Sequence, residues 1–136
     1  MPRQETLSLI RRYYDAFNAG NPDAMLACLS DDIEHRVNEG GHRIGKARFA
    51  EFCSHMGVSY REELRDMVIF ASEDGTRAAA EFTVHGEYLQ TDPGLPEANG
   101  QRYTLPAGAF FDLNGGRISR ITTFYNLNDW IAQVSS

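Results

Sequence analysis

The sequence predicts an α+β domain in which helices come first and a mainly antiparallel sheet follows. Three observations carry this reading. Apolar residues recur at three- and four-residue spacing as far as Met56, and they alternate with polar ones from about Tyr60 onward. The alternating runs are divided by Asp74-Gly75, by the Pro/Gly-rich stretch from Thr91 to Gly100 and by Asn114-Gly115-Gly116. The first pattern marks amphipathic helices, the second half-buried strands and the third hairpin connections. With 136 residues, 42% of them hydrophobic, and no linker, repeat or low-complexity segment, the chain reads as a single domain over 1–136 with a core of useful size.

Leu7, Ile10, Tyr14 and Phe17 mark one face of a first helix that begins near Thr6 and stops at Gly20, a residue suited to a helix C-terminus. Asn21-Pro22 reads as an N-cap followed by proline at the first helical position. It opens a short second helix that offers Met25, Leu26, Cys28 and Leu29 and ends near Ser30-Asp31. Ile33-Glu34-His35-Arg36-Val37 alternates as a short strand with Ile33, His35 and Val37 on one face. After Gly40, Gly41 and Gly45, the spacing of Phe49, Phe52, Cys53 and Met56 predicts a third helix from Lys46 to Met56, before Gly57.

Strands are then predicted over about 61–73, 76–90, 101–113 and 117–127. In the second of these, alternation puts Ala78, Ala80, Phe82, Val84, Gly86 and Tyr88 on the core face. The next strand contributes Tyr103, Leu105, Ala107, Ala109, Phe111 and Leu113, and the last Ile121, Thr123 and Tyr125. Consecutive hairpin strands after helices give the α+β class.

Composition excludes several functions. Lys and Arg total 13 against 19 Asp and Glu, a net charge of −6, and no basic run exceeds Arg11-Arg12, so no nucleic-acid partner is expected. No apolar stretch approaches the roughly 18–20 residues of a membrane span, so no membrane partner is expected either. The opening Met1-Pro2-Arg3-Gln4-Glu5 lacks the basic-then-apolar layout of a signal peptide, and a cytoplasmic location is expected. Cys28 and Cys53, without Cys-x-x-Cys spacing, are expected as core thiols.

Two motifs are set aside on chemical grounds. Gly40-Gly41-His42-Arg43-Ile44-Gly45-Lys46-Ala47 follows the phosphate-loop pattern for seven positions, but Ala47 lacks the hydroxyl that holds magnesium. A turn into the third helix is expected there. Asp31, Asp32, Glu34, His35 and His42 form an acidic-histidine cluster, yet successive strand residues point opposite ways and no His-x-x-x-His spacing occurs, so no metal is expected.

The order of several short motifs is more telling than any one of them. Arg12-Tyr13-Tyr14-Asp15-Ala16-Phe17-Asn18-Ala19-Gly20 ends the first helix, Ser30-Asp31-Asp32 precedes the first strand and Gly45 opens the third helix. Phe82-Thr83-Val84-His85-Gly86-Glu87-Tyr88 lies on the sheet and Asn114-Gly115-Gly116-Arg117-Ile118 precedes the last strand. This order resembles the nuclear transport factor 2-like superfamily, in particular its ketosteroid-isomerase and SnoaL-like polyketide cyclase branch. Arg102 to Phe111 and Tyr125 to Trp130 are similar to its steroid-isomerase-related members. The resemblance implies a cone-shaped, cystatin-like roll in which three N-terminal helices pack in a curved sheet. It also implies an apolar interior that takes a small hydrophobic molecule, a homodimer formed through the convex sheet face, and no cofactor.

Ketosteroid isomerases move a proton with a carboxylate base near the end of the first strand, a tyrosine on the first helix and a protonated aspartic acid on the third strand of the meander. Here the tyrosine position falls at Tyr13, with Tyr14 competing for it, the base position at Val37 or Arg36, and the aspartic acid position at Ala109. Valine accepts no proton, so steroid Δ-isomerase activity is not expected. His35 and Glu39 share the face of Val37 if the strand continues, and they offer a replacement base and its orienting carboxylate. The alternative for His35 is a core histidine satisfied by a tyrosine hydroxyl or a backbone carbonyl.

The expected catalytic residues are therefore His35, Glu39, Tyr13 and Tyr14. The expected ligand pocket comprises Phe17, Val37, Phe52, Met56, Phe82, Val84, Tyr88, Tyr103, Ala109, Phe111, Thr123 and Tyr125. Gly86 interrupts a bulky row, either leaving room for a ligand or marking a bulge. The stretch from Thr91 to Gly100 is either a lid over the pocket mouth or a surface excursion. The expected function is a cofactor-independent isomerase, cyclase or dehydratase acting by proton transfer on a carbonyl compound, and the alternative is a noncatalytic ligand-binding or dimerisation domain.

Overall fold

The computed structural model describes residues 2–135. Its elements run α1 (Arg3–Asn18), α2 (Pro22–Leu26), β1 (Leu29–Val37), β2 (His42–Ile44), α3 (Lys46–Ser59), β3 (Tyr60–Ala71), β4 (Arg77–Tyr88), β5 (Arg102–Asn114), β6 (Arg117–Phe124) and α4 (Leu127–Val134). One six-stranded sheet has the order β2-β1-β6-β5-β4-β3, antiparallel except where β1 runs parallel to β6. The expected α+β architecture, with helices first and a terminal four-strand meander, is the one observed. Among the described residues, no helix is long and apolar enough to cross a membrane.

On α1 the buried stripe is Thr6, Leu9, Ile10, Tyr13, Tyr14 and Ala16, with Leu7 and Phe17 half-buried at its flanks. Gly20, at φ +66°, adopts the left-handed backbone that ends the helix. Asn21 caps α2 by accepting from the Ala24 N–H at 3.1 Å. β1 begins at Leu29, ahead of the expected Ile33, because Leu29 already pairs with Ile118 of β6. Ser30-Asp31-Asp32 therefore lies inside the strand, at a register shift between Leu29 and Glu34.

Three further elements depart from expectation. The stretch after Gly41 forms β2, an edge strand pairing His35 with Arg43, where only a turn was expected. Helix α3 runs through Gly57 to Ser59, whose buried carbonyl accepts from the Leu89 N–H at 2.8 Å and ties the helix end to the chain leaving β4. The last strand stops at Phe124 and α4 follows. The Asn126 side chain accepts from the Asp129 N–H at 3.0 Å, and Trp130 and Val134, one turn apart, are buried.

The core sits between α1, α3 and the concave sheet face, with Leu9, Ile10, Leu29, Ile33, Phe49, Phe111, Ile118 and Ile121 almost fully buried. The alternation read from the sequence holds along β4 and β5: Ala78, Ala80, Phe82, Val84 and Tyr88 are buried, as are Tyr103, Leu105, Ala109, Phe111 and Leu113. The opposite face carries a different row. Phe70, Ala79, Phe110 and Thr122 are register partners across four strands, with Val68, Glu81, Gly108 and Phe124 in the neighbouring row. Val68, Phe70, Phe110 and Phe124 are exposed there. Arg77, Asp112 and Arg120 flank them, with Arg120 pairing with Asp112 at 2.9 Å and Arg77 with Asp112 at 2.7 Å.

Candidate functional site

Adjacent residues on a helix point about 100° apart, so Tyr13 and Tyr14 straddle the buried face of α1 and both reach the sheet. Their rings meet edge to face at 5.0 Å. Tyr13 also meets Phe49 and Phe111, and Tyr14 meets Phe82 and Phe111, at 5.2–6.4 Å. Burial pushes both phenol pKa values well up, so both remain protonated donors. Each tyrosine is only 5% exposed and its hydroxyl makes no hydrogen bond among the described residues, where the buried side-chain polar atom without a partner is Ser30 Oγ. Nearby the sheet floor is small: Val37, Thr123, Ala109 and Ala80 are successive register partners from β1 to β4. Ala109 has no carboxylate to offer, and Val37 and Thr123 are half-buried.

His35 projects inward from β1, 4% exposed, with Phe49 at 5.1 Å and Phe52 at 4.8 Å between ring centroids. Its Nδ1 lies 2.6 Å from Nη1 of Arg43, its partner in the β1–β2 pair. A guanidinium only donates, so Nδ1 accepts and the neutral ring carries its proton on Nε2. Burial first, and the Arg43 charge second, lower the His35 pKa to about 4. Arg43 also stacks over Phe52 at 4.3 Å. Glu39 is not beside His35: β1 ends at Val37, and the exposed Glu39 carboxylate accepts from the Leu127 N–H at 3.0 Å, at the start of α4. The expected orienting carboxylate is thus replaced by a guanidinium.

A second group lies where β3 begins, β4 ends and β5 begins. Tyr60 stacks on Tyr88 at 5.4 Å, and Trp130 of α4 meets Tyr60, Tyr88 and Tyr103 edge to face at 4.9–6.0 Å. Tyr88, expected to face a ligand, is fully buried. Its hydroxyl donates to the Pro96 carbonyl at 2.7 Å and accepts from the Asp92 N–H at 2.9 Å, so it anchors the loop from Thr91 to Gly100. Asp92 pins the same loop to α3 and β3, at 3.0 Å from His55 Nε2 and 2.7 Å from the donating Tyr60 hydroxyl.

Gly86 is neither open space nor a bulge. It lies in regular register between Glu62 and Tyr103, and a Cβ on it would stand 2.2–2.4 Å from the Tyr103 ring and hydroxyl. The Tyr103 side chain fills the gap and donates to Oε2 of Glu62 at 2.5 Å.

The expected pocket residues thus fall into two groups. Phe52, Phe82, Phe111 and Ala109 lie at the Tyr13–Tyr14–His35 end, Val84 is in the core with Phe17 packed against it, and Met56 is half-buried on α3 outside that core cluster. Tyr88, Tyr103 and Tyr125 belong to the other end. Arg43, Glu62 and Trp130 were missed. Two clefts, of about 690 Å³ over Arg36, His42, Arg120 and Phe124 and about 370 Å³ over Gln4, Ser8, Arg12 and Gly116, lie outside these two groups. Among the described residues no group of three or more His, Cys, Asp or Glu side chains is placed to hold a metal ion, and Cys28 and Cys53 are free thiols.

This layout defines a class, the nuclear transport factor 2-like α+β cone. A protein so described from Burkholderia xenovorans LB400, at 14% identity, superposes with a TM-score of 0.79 over 98% of each chain. The SnoaL-like domain family matches residues 10–121, and the chain belongs to it. A proposed polyketide cyclase from Silicibacter sp. TM1040 is 62% identical, with a TM-score of 0.95 over 100% of this chain and 99% of that one. Another, from Xanthomonas campestris pv. campestris, is 55% identical, with a TM-score of 0.94 over 97% of this chain and 98% of that one. No protein of curated function matches the chain. The fold is of the ligand-binding isomerase and cyclase type.

Proposed function

We propose that the domain binds a small, mostly apolar carbonyl compound inside the cone and transfers a proton on it without a cofactor, as an isomerase, cyclase or dehydratase. The observation that carries this reading is the Tyr13–Tyr14 pair: two adjacent, protonated phenols set among Phe49, Phe82 and Phe111, each residue 5% exposed, whose hydroxyls make no hydrogen bond among the described residues. A ligand oxygen that accepts from such a donor gains roughly 0.5–1.5 kcal/mol net. Polar groups fixed in an apolar pocket orient a ligand, so a carbonyl held at this pair presents the rest of the molecule for reaction further along the cone. A polyketide carries repeated carbonyl groups and closes rings through enolates, so the description given to the two close relatives agrees with this reading.

His35 enters as a neutral donor through Nε2, because Arg43 occupies Nδ1. His35→Gln supplies an amide oxygen for Arg43 and an N–H for the ligand, so it is expected to keep affinity and turnover within about tenfold, whereas His35→Leu loses both groups. Loss of about 10²–10⁴ in rate with Gln, at unchanged affinity, would restore His35 as the base. The test of ligand binding is fluorescence titration with 2-naphthol, a planar phenol that stands for an enol. Wild type is expected to bind it, and Tyr13→Phe/Tyr14→Phe to bind at least about tenfold more weakly, the loss of roughly one hydrogen bond. No binding by wild type favours the noncatalytic dimerisation domain.

That second reading has its own observation. The exposed Phe110 and Phe124 meet at 5.6 Å on the convex face, with the exposed Phe70 beyond Ala79 in the Phe110 row and Val68 beyond Gly108 and Glu81 in the Phe124 row. Exposed apolar side chains of this kind are suited to a partner, and this face is proposed as the face of a homodimer. Phe110→Asp/Phe124→Asp is expected to sediment as a monomer with unchanged circular dichroism, against a dimeric wild type. A monomeric wild type at tens of micromolar removes this assignment.

A further inference from the structure

Glu62 is a titratable group that the Tyr13–Tyr14–His35 end leaves unused. It lies on the inner face of β3, two residues before the buried Leu64, and is partly buried. No ion pair is made to it among the described residues, and its hydrogen-bond partner is the Tyr103 hydroxyl on Oε2, leaving Oε1 unoccupied. The pair is built into the sheet. Gly86, the residue between the two in the row, has no side chain, and only that lets the Tyr103 ring lie across it to reach the carboxylate. Trp130 backs the Tyr103 ring at 5.9 Å and fixes its position.

The groups facing Glu62 can be followed element by element. β4 offers only Gly86 and β5 offers Tyr103. From α1, Asn18 is committed to the Leu64 backbone, donating to its carbonyl and accepting from its N–H, both at 2.9 Å. The chain after β6 brings Tyr125 within electrostatic reach. Tyr60, on the same strand, is engaged by Asp92, which His55 of α3 also contacts. Among the described residues no cation is paired with the carboxylate, and burial raises its pKa while the Tyr103 hydrogen bond opposes the rise. A carboxylate made more basic in this way suits proton abstraction.

We propose that Glu62 takes and returns the proton of the bound ligand, with Tyr103 as its positioning residue, so that the reacting carbon lies at the Trp130 end of the cone. This rests on the proton-transfer reading above. In the step, the Glu62 carboxylate removes a proton from the carbon next to a carbonyl. The C–H electron pair forms a carbon–carbon double bond as the carbonyl π pair moves onto oxygen, giving an enolate. Tyr125, half-buried and within electrostatic reach of Glu62, is proposed as the donor to that oxygen. The proton returns from Glu62 to the same carbon in exchange or, where a carbon–carbon double bond is conjugated with the enolate, to the far end of that bond with a shift of the double bond, and the carboxylate is restored. Tyr14 packs on Phe82, four residues before Gly86 on β4, so the two ends lie about 13 Å apart at ~3.3 Å per residue. A ligand of two or three fused rings spans that length, held at Tyr13–Tyr14 and reacting at Glu62.

The test follows α-proton exchange of 2-tetralone in D2O by NMR, alongside 2-naphthol affinity. Wild type is expected to accelerate exchange. Glu62→Gln is expected to reduce the acceleration at least about 100-fold, within the range for a general base, while 2-naphthol affinity stays within threefold. Tyr103→Phe removes the hydrogen bond that favours the carboxylate, so the rising limb of exchange against pH is expected to move to higher pH, a change that loss of packing alone does not produce. If Glu62→Gln does not fold, that shift decides the matter. Wild-type acceleration that survives in Glu62→Gln, or an unmoved pH limb in Tyr103→Phe, overturns the assignment to Glu62 alone. Binding of 2-naphthol without exchange by wild type overturns the proton-transfer reading, and the assignment falls with it.

Discussion

Gly86→Ala is expected to destabilise the fold by about 3 kcal/mol, although exchanging glycine for alanine in a strand ordinarily helps by up to ~1 kcal/mol through the unfolded chain. The added Cβ would stand 2.2 Å from Tyr103 Cζ and 2.4 Å from its hydroxyl oxygen. A long side chain can swing away cheaply when it is loose, but Tyr103 is 3% exposed, packed on Trp130 and bonded to Glu62. Displacing it forfeits ring packing and leaves a partly buried carboxylate without its donor. Urea denaturation of four proteins tests this: wild type, Gly86→Ala, Tyr103→Ala and the double variant. Tyr103→Ala empties the space, so the double variant is expected to cost clearly less than the two single losses added, the mark of residues in contact. Tyr103→Phe keeps the ring and is expected to give no such relief. Additive losses would mean that the ring does not occupy the space above Gly86.

The same position shows what was legible in the sequence. Alternation placed Gly86 and Tyr103 on the inner face, because the side-chain period of a strand is two whatever its partner. It did not show that they are register partners, so the vacancy left by the glycine was assigned to a ligand or a bulge. Glu62 was missed for a related reason. In Tyr60-Arg61-Glu62-Glu63-Leu64 a charged residue on the inner face looks like any other polar position until Leu64 is known to be buried and the phase of the strand is thereby set. The pattern Leu127, Trp130, Ile131, Val134 has the spacing of an amphipathic helix and follows a capping asparagine. That signal was present and was absorbed into an overlong final strand.

Long-range placement limited the reading of His35. Its inward direction followed from alternation with Ile33 and Val37, and both neighbours point the same way. The choice of Glu39 as its partner assumed that the strand continued, whereas the chain turns through Gly40 and Gly41, at φ +133° and +122°, and brings Arg43 opposite His35. A hairpin reading of the two glycines would have found Arg43. The consequence is chemical: a carboxylate partner makes an imidazole a better base, while a guanidinium makes it a neutral donor.

That difference has a thermodynamic signature. Stability is expected to fall by about 3 kcal/mol between pH 6.5 and pH 4 on account of His35 alone, at roughly 1.4 kcal/mol per pKa unit. The folded-state pKa is about 4, through burial and then the Arg43 charge, while an unfolded histidine titrates near 6.5. Above pH 6.5 both states hold a neutral ring and the contribution is fully present. As pH falls toward 4 the unfolded chain takes up a proton that the folded chain refuses, and stability is lost; below 4 both are charged and the loss stops growing. Glu62 acts in the opposite sense, since its raised folded-state pKa makes the folded protein take up a proton first. The effect of His35 is therefore read from a difference. Urea midpoints for wild type and His35→Leu at pH 7, 5.5 and 4.5 are expected to converge as pH falls, because the variant lacks the titrating ring. Arg43→Met, which removes the charge but keeps the burial, is expected to show a shallower slope than wild type. Parallel slopes in wild type and His35→Leu would place the ring in contact with solvent and return it to the role of a base.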